Sequence, residues 1–595
     1  MAGFPGGRPL CSDIGRGYKT VSGAAKITIW IIYNEIAIWP LTYLLCMSKL
    51  ALLITIQQGK SPSEFKPSTG FTEKMKKHHP LLVLVLVNLI VGLVLLPGFG
   101  ESTDEVSQHS YAERTIQAVQ SLVRAGTWPA YFTEEEPKQG SHGPAFIMAV
   151  SLLRSLSLPA GTRVENLLFS HFLYFLAFQL GIVSLYFLAR RWMSDTAALG
   201  TALLFNTQPL FFGHAFMNPK DVVFMSFLTA SAALGLRMVD RAENPRQATG
   251  NPLSDGGRSF LGGFLRGDVW LAGVILGFSS AIRIAAPLVA VMVLVHILFS
   301  RKWHVLPRFL AYGLIAFGAM IAFWPYLWPD PPGRLIGSVL FSAQYPDIHV
   351  TLFKGIIVDS RNIPLLYLPL LLLVQLTETT WLLVLAGVFS FRKRFHWDFA
   401  ALVLIWFALP AAAILFFRVN LYDNLRQVFF ILPPLFLLAG LGLDWALGLL
   451  RRPLARFLLL ALILFPGLYA NITLYPYQYI YYNSMVGGVT GAYRLYELDY
   501  WRLAFKEAQA YLNQTAEVNA NIFVGDSKPS AQTFARSDLI FNAFGARKRN
   551  WEKYDYIIVS TAENADQQFG EFTTVFTVER DGVPLVVVKT THPPG

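Results

Sequence analysis

The sequence predicts a polytopic α-helical membrane protein of about 11 transmembrane helices that carries a small C-terminal α/β domain outside the membrane. Three observations carry this reading. Only 15% of the 595 residues are charged and 54% are hydrophobic, whereas globular proteins carry about 25% charged residues. The apolar residues gather into runs close to the ~20 residues that cross a bilayer. Lys and Arg recur at alternate loops, as loops facing the cytoplasm require. The same composition excludes a disordered chain, a collagen and a disulfide scaffold. Two cysteines, Cys11 and Cys46, cannot build a disulfide framework or a Cys-rich metal cluster. Nor is the net charge of +11 a nucleic-acid signature, because residues 501–595 hold 10 Lys and Arg against 11 Asp and Glu. The positive excess belongs to the hydrophobic part.

Residues 1–79 form an N-terminal segment whose apolar stretch Ile27–Ile56 is interrupted by Asn34, Glu35 and Pro40. Basic residues flank it on both sides, so it reads as a helix lying on or partly in the membrane, with an extra span as the alternative. No short apolar run ends in a small-residue cleavage site, so no cleaved signal peptide is expected. Spans follow near 80–97, 165–190, 196–213, 221–239, 269–282, 284–299, 305–324, 364–390, 398–417, 428–449 and 456–473. Lys74, Lys76 and Lys77, then Arg190 and Arg191, Arg237 to Arg266, Arg301 and Lys302, Arg392 to Arg394, and Arg451 to Arg456 mark every second loop. An odd number of spans then places the tail outside, in a multi-pass protein of the plasma (inner) membrane.

Residues 80–498 thus form the membrane domain, and it includes an outer loop over 101–163. Within that loop Val106, Tyr111, Ile116, Val119, Leu122 and Val123 give 104–124 the period of an amphipathic helix on the membrane surface. Residues 499–595 begin with a helical stretch, Trp501–Leu512. They continue with strand-like runs at Asn521–Val524, Tyr556–Val559, Thr573–Val578 and Leu585–Val588. Asn244–Arg258, rich in Pro, Gly, Asn and Ser, reads as a cytoplasmic linker, and no internal repeat is present.

Charges at the ends of apolar helices are costly unless they serve a site, and here they gather on the outer side. Asp104 and Glu105 follow the first span, His142 lies in Gly140-Ser141-His142-Gly143-Pro144, and Lys220 and Asp221 close the turn Asn218-Pro219-Lys220-Asp221. Arg283 splits one apolar run into two helices too short for a relaxed crossing, and Asp423 and Arg426 precede the tenth span. A carboxylate at a helix start also serves as a cap; for Asp104 and Glu105 capping stands beside a general-base role with which it can coexist, and for Asp221 beside orienting a phosphate held by Lys220 or sharing a metal. Lys220, Arg283 and Arg426 are cations suited to a phosphate. His142 reads either as a turn residue or as part of that grip. Neither a Gly-x-x-x-x-Gly-Lys-Ser/Thr phosphate loop nor a Gly-x-Gly-x-x-Gly turn is present, which favours a lipid-borne donor over a cytoplasmic nucleotide.

These features resemble the polytopic GT-C glycosyltransferases. Within them the chain is most similar to the branch of the protein O-mannosyltransferases and the lipid A aminoarabinose transferases (glycosyltransferase family 39-like, phospholipid carrier-dependent). The likeness covers about residues 80–510. It is carried by Asp104-Glu105, Asn218 to Asp221, Trp324-Pro325-Tyr326-Leu327-Trp328-Pro329-Asp330-Pro331, Tyr475-Pro476-Tyr477-Gln478, Tyr481-Tyr482-Asn483 and Glu497-Leu498-Asp499-Tyr500-Trp501. The resemblance implies transfer of a sugar from a polyprenyl-phosphate carrier to a protein, lipid or glycan acceptor at the outer face, with inversion. It implies Asp104 as base, Glu105 as its neighbour and Asp221 as the second acid near the donor phosphate. Lys220, Arg283, Arg426 and His142 would hold that phosphate, although His142 and Gln427 stand where relatives carry a lysine and a histidine. Some members use a divalent metal and others none, so no cofactor is certain and a metal stays an alternative. A transporter or flippase, or a ligase or polymerase of pyrophosphate-linked glycans, is the competing reading.

Overall fold

The computed structural model describes residues 70–592 apart from 130–131, 133–139, 141, 244–263, 265, 344–347, 394–395, 526–528 and 544–550. Ile27–Ile56 and the linker at Asn244–Arg258 lie outside the described residues. The first apolar run forms α1 (Gly70–Leu95), which starts before the expected position 80. Helix α2 (Thr103–Ala125) is the expected amphipathic element, and α3 (Ala145–Ser157) packs on it. Helix α4 (Arg163–Ala189) follows. The expected third span is broken at Gln208 into α5 (Asp195–Thr207) and α6 (Pro209–Met217), because Pro209 has no N–H to continue the ladder. Helix α7 (Asp221–Glu243) runs through the centre of the molecule.

Helices α8 (Gly267–Ser280) and α9 (Leu288–Phe299) flank Arg283, as the sequence predicts. At 14 residues α8 is about 21 Å long, well under the ~30 Å of a bilayer core. Then come α10 (Leu306–Phe323), the short amphipathic α11 (Pro331–Ala343), and a hairpin of β1 (Val350–Phe353) and β2 (Ile356–Asp359) absent from the sequence expectations. The expected span over 364–390 is two helices, α12 (Tyr367–Gln375) and α13 (Glu378–Lys393), bent by 107°. Helix α14 (Trp397–Phe417) accommodates Pro410 through a π-turn over Leu404–Ala408. A 3₁₀ stretch, Arg426–Ile431, leads into α15 (Pro433–Leu449), and α16 (Pro453–Thr473) closes the helical part. Helices α13 and α15 meet through Gly387 and Gly442, where any Cβ would strike the facing backbone carbonyl.

Six helices among the described residues (α1, α4, α7, α10, α14 and α16) are long and apolar enough to cross a membrane, and the bent pair makes a seventh if it counts as one span. The protein is therefore polytopic and helical, with several of the eleven expected spans realised as short or broken helices. Leu404, Leu409 and Phe416 on α14, and Leu458, Leu462 and Phe465 on α16, are exposed. Apolar side chains in that position match a hydrocarbon solvent and not water.

The tail forms the expected small α/β unit. Helix α17 (Phe505–Thr515) packs on a five-stranded sheet ordered β4-β3-β5-β7-β6. Its strands are β3 (Asn521–Val524), β4 (Ile540–Ala543), β5 (Tyr556–Ser560), β6 (Thr573–Arg580) and β7 (Val583–Thr590). Strands β3, β4 and β5 run parallel, and β7 pairs antiparallel with β5 and β6. Strand β4 was not expected, and α17 starts at Phe505 where the sequence suggested Trp501. Residues before it hold left-handed backbone at Asp499 (φ 37°) and Arg502 (φ 61°), which no helix allows.

Candidate functional site

A cavity of about 540 Å³ is lined by Asp104, His142, Lys220, Arg283, Arg426 and Tyr422, among others. Five of the seven residues to which the resemblance gives a role therefore face one space, although they come from five separate segments. Asp221 lies just behind them, and Glu105 points away.

The start of α2 explains the split between Asp104 and Glu105. Ser102 Oγ accepts from the Glu105 N–H, and Glu105 Oε2 accepts from the Ser102 N–H at 2.8 Å, which is a capping box. Ser102 Oγ also donates to the Met217 carbonyl at 3.0 Å, tying α2 to the end of α6. Glu105 is fully buried, with Oε1 2.9 Å from His171 Nε2. Burial pushes its carboxyl up, and His171 opposes this. Asp104, one residue earlier, is 37% exposed toward the cavity. Glu105 thus caps α2 from its buried side.

Asn218 builds the second corner. Its Oδ1 accepts from the Lys220 N–H at 3.0 Å and the Asp221 N–H at 2.7 Å, capping α7. Its Nδ2 donates to Asp221 Oδ2 at 3.2 Å. The other Asp221 oxygen pairs with the Arg283 guanidinium, delivered by the break between α8 and α9. Lys220 is half-buried, and among the described residues its ammonium has no hydrogen-bond or ion-pair partner. Burial, with Arg283 and Arg426 nearby and Asp104 opposing, pushes it down to about 7. Burial and Arg426 bring Arg283 to about 10. Lys220, burial and Arg283 hold the His142 imidazole well below its usual range, so it is neutral at neutral pH.

Arg426 joins the acids. Nε and Nη2 donate to Asp423 Oδ2 at 2.9 and 2.6 Å, and Nη1 donates to Asp104 Oδ2 at 3.2 Å and Asp221 Oδ2 at 3.3 Å. Against the cost of burial, Asp104 and Asp423 hold this guanidinium above its ordinary range. Asp423 (φ 54°) and Asn424 (φ 61°) are consecutive left-handed residues, a conformation costing on the order of 1 kcal/mol or more each. Asn424 fixes that turn: its N–H donates to Tyr367 Oη at 3.1 Å, its Nδ2 to the Glu497 carbonyl at 3.1 Å, and its Oδ1 accepts from Tyr482 at 2.9 Å.

Each carboxylate converges on Arg426 and not on a shared empty point, and among the described residues no three His, Cys, Asp or Glu side chains are spaced to hold a metal. A divalent cation between Asp104, Asp221 and Asp423 would meet the guanidinium already there, so these residues do not fit one.

Sequence reasoning left out Tyr422, which stacks on His349 at 3.9 Å and lies 5.0 Å from the Arg426 guanidinium. His349 enters from the segment before β1 and carries no local signal. Ser107 and Gln108 also line the cavity, and their i+3 and i+4 spacing from Asp104 on a helix could have found them. The Trp324 motif acts as a support: Trp324 Nε1 donates to the Gly140 carbonyl at 3.0 Å, steadying the loop that carries His142.

No protein-family model and no curated protein matches the chain. Among solved structures it is similar to ArnT from Cupriavidus metallidurans in the apo state, at 15% identity over 87% of this chain and 98% of that one, with a TM-score of 0.46. It is likewise similar to ArnT bound to undecaprenyl phosphate, at 15% identity over 86% and 98%, with a TM-score of 0.42. The arabinofuranosyltransferase AftD from Mycobacteria matches at 14% identity over 87% of this chain and 40% of that chain, with a TM-score of 0.35.

Proposed function

We propose that this protein is a membrane glycosyltransferase that moves a sugar from a polyprenyl-phosphate carrier to an acceptor hydroxyl or amine at the outer membrane face. The observation that carries the reading is one cavity at the ends of apolar helices that holds a half-open carboxylate, Asp104, beside Lys220, a cation without a partner among the described residues, and two paired ones, Arg283 and Arg426. A lipid tail fits among the helices, and its phosphate meets Lys220 and Arg283. Fixed cations stabilise negative charge as it grows on the leaving phosphate. Asp104 takes the proton of the acceptor as it attacks the anomeric carbon from the opposite side, which inverts the configuration. The neutral His142 contributes a hydrogen bond and no charge.

The test supplies purified protein in lipid vesicles with sugar on a polyprenyl monophosphate or, separately, an oligosaccharide on a polyprenyl pyrophosphate. Transfer from the first alone is expected; transfer from the second alone selects the ligase or polymerase reading. Transbilayer movement of either lipid with no transfer selects the flippase.

Lys220 gives this cavity a pH dependence. With the free ammonium brought down to about 7, the charge that meets a phosphate is present below that pH and lost as pH rises through it. The KM for the lipid donor is therefore expected to rise between pH 6 and 8. Lys220→Arg keeps a charge at both ends of this range and should flatten the rise. A donor KM that is level across the range in the unmodified protein removes Lys220 from the phosphate site.

A further inference from the structure

The motif Glu497-Leu498-Asp499-Tyr500-Trp501 is absorbed by none of the roles above, yet it contacts the start of α2, Arg426 and the turn that carries Asp423, and reaches Asp221 through His214 and Asn218. We infer that Glu497–Arg502 is a positioning strap for the transfer reaction, with Tyr500 and Trp501 setting the geometry of Asp221, Arg426 and Asp104. The inference rests on the transferase reading and goes beyond it, since none of these strap residues lines the cavity.

The contacts run to three corners. The Trp501 carbonyl accepts from the Thr103 N–H at 3.3 Å, directly before Asp104. The Trp501 ring lies 5.0 Å from the Arg426 guanidinium carbon, on the group that bridges all three carboxylates. Tyr500 Oη is 2.7 Å from His214 Nε2, His214 Nδ1 is 3.1 Å from Asn218 Nδ2, and Asn218 in turn donates to Asp221 at 3.2 Å. The Glu497 carbonyl holds Asn424 and so the Asp423 turn.

The strap is itself fixed. Its left-handed residues Asp499 and Arg502 bracket Tyr500 and Trp501, and Tyr479 donates to Asp499. Arg502 folds back on the carbonyls of Asp499 and Tyr500, at 3.3 and 3.0 Å. Its other nitrogen reaches Glu563 of the tail domain at 3.0 Å. The tail domain is thereby an anchor for the site.

The indole has a further mark. Trp501 is buried, and its Nε1–H has no acceptor among the described residues, an arrangement that costs stability. Phenylalanine would fill most of the space without that orphan donor, so packing alone does not account for a tryptophan. What an indole adds is the strongest ring face for a guanidinium.

The experiment measures Tyr500→Phe, Trp501→Phe and Trp501→Leu in vesicles with the monophosphate-linked donor. Tyr500→Phe and Trp501→Leu should each lower kcat by about tenfold, the scale of one desolvated cation–π contact or buried hydrogen bond. The donor KM should stay within about twofold, because neither side chain meets the phosphate. Trp501→Phe should fall between unmodified protein and Trp501→Leu in kcat while melting no lower than the unmodified protein. Hydrogen exchange over 103–110 and 422–428 should be faster in Tyr500→Phe and Trp501→Leu. Unchanged kcat per folded molecule together with unchanged exchange overturns the strap. If the unmodified protein transfers nothing, the transferase reading fails, and the exchange measurement alone still decides whether the strap holds these segments.

Discussion

Asp104→Asn should abolish sugar transfer, lowering kcat by about 10²–10⁴-fold, the usual contribution of a positioned general base. The change is nearly isosteric and leaves an amide oxygen facing Arg426, but the amide cannot take a proton. The fold should survive it. Ser102, not Asp104, caps α2, and Asp104 is more than a third exposed, so the lost helix-dipole and ion-pair terms amount to about 1 kcal/mol or less. Glu105→Gln makes the contrast. It disturbs a buried capping box and the pair with His171, and should lower the melting temperature in detergent more than it lowers turnover per folded molecule. Membranes carrying each variant, given labelled monophosphate-linked sugar, separate the two. Normal transfer by Asp104→Asn removes it as the base.

Arg426→Met is expected to cost the most stability of any single change at the site. Arg426 is buried and pairs with Asp104, Asp221 and Asp423. Its removal leaves mutually repelling carboxylates, two of them largely buried, and breaking a buried pair in this way costs about 3–5 kcal/mol. Arg426→Lys should recover only part, because a single ammonium cannot reproduce the fork that reaches three acids. Adding Asp423→Asn to Arg426→Met should raise the melting temperature again by removing one uncompensated charge. Thermal melting of the purified variants checks both expectations. A melting temperature for Arg426→Met equal to that of the unmodified protein would mean that the carboxylates are not held by this cation.

Much of the helical architecture was legible because it follows from one-dimensional patterns. An apolar run with a charged boundary is a helix in a bilayer wherever it lies in the chain, and the 3.6-residue period of α2 needs no partner to be seen. The breaks were less legible. Arg283 signals its own, whereas the break at Pro209 lay inside the single span expected over 196–213, and the bend between α12 and α13 has no marker at all, since Leu376-Thr377 is an ordinary dipeptide. Asn483 holds it from more than a hundred residues away by donating to the carbonyls of Leu373 and Leu376. The β1–β2 hairpin was missed because short apolar strands inside a hydrophobic chain look like more of the same.

The site divides in the same way. Residue types alone picked out Asp104, Lys220, Asp221, Arg283 and Arg426, since a charge at the end of an apolar helix is costly and therefore conspicuous. Which of two adjacent carboxylates faces the cavity was not decided by them. The capping box turns Glu105 inward to Ser102 and His171, and Asp104, 100° round the helix, is left facing the opening. Nor could any local pattern reveal that Tyr422 and His349 stack, or that Trp501 lies on Arg426, because those contacts join segments distant in the chain. Sequence fixes which groups cannot remain idle at a membrane face; packing, which minimises unpaired buried charge over all segments at once, fixes which of them meet.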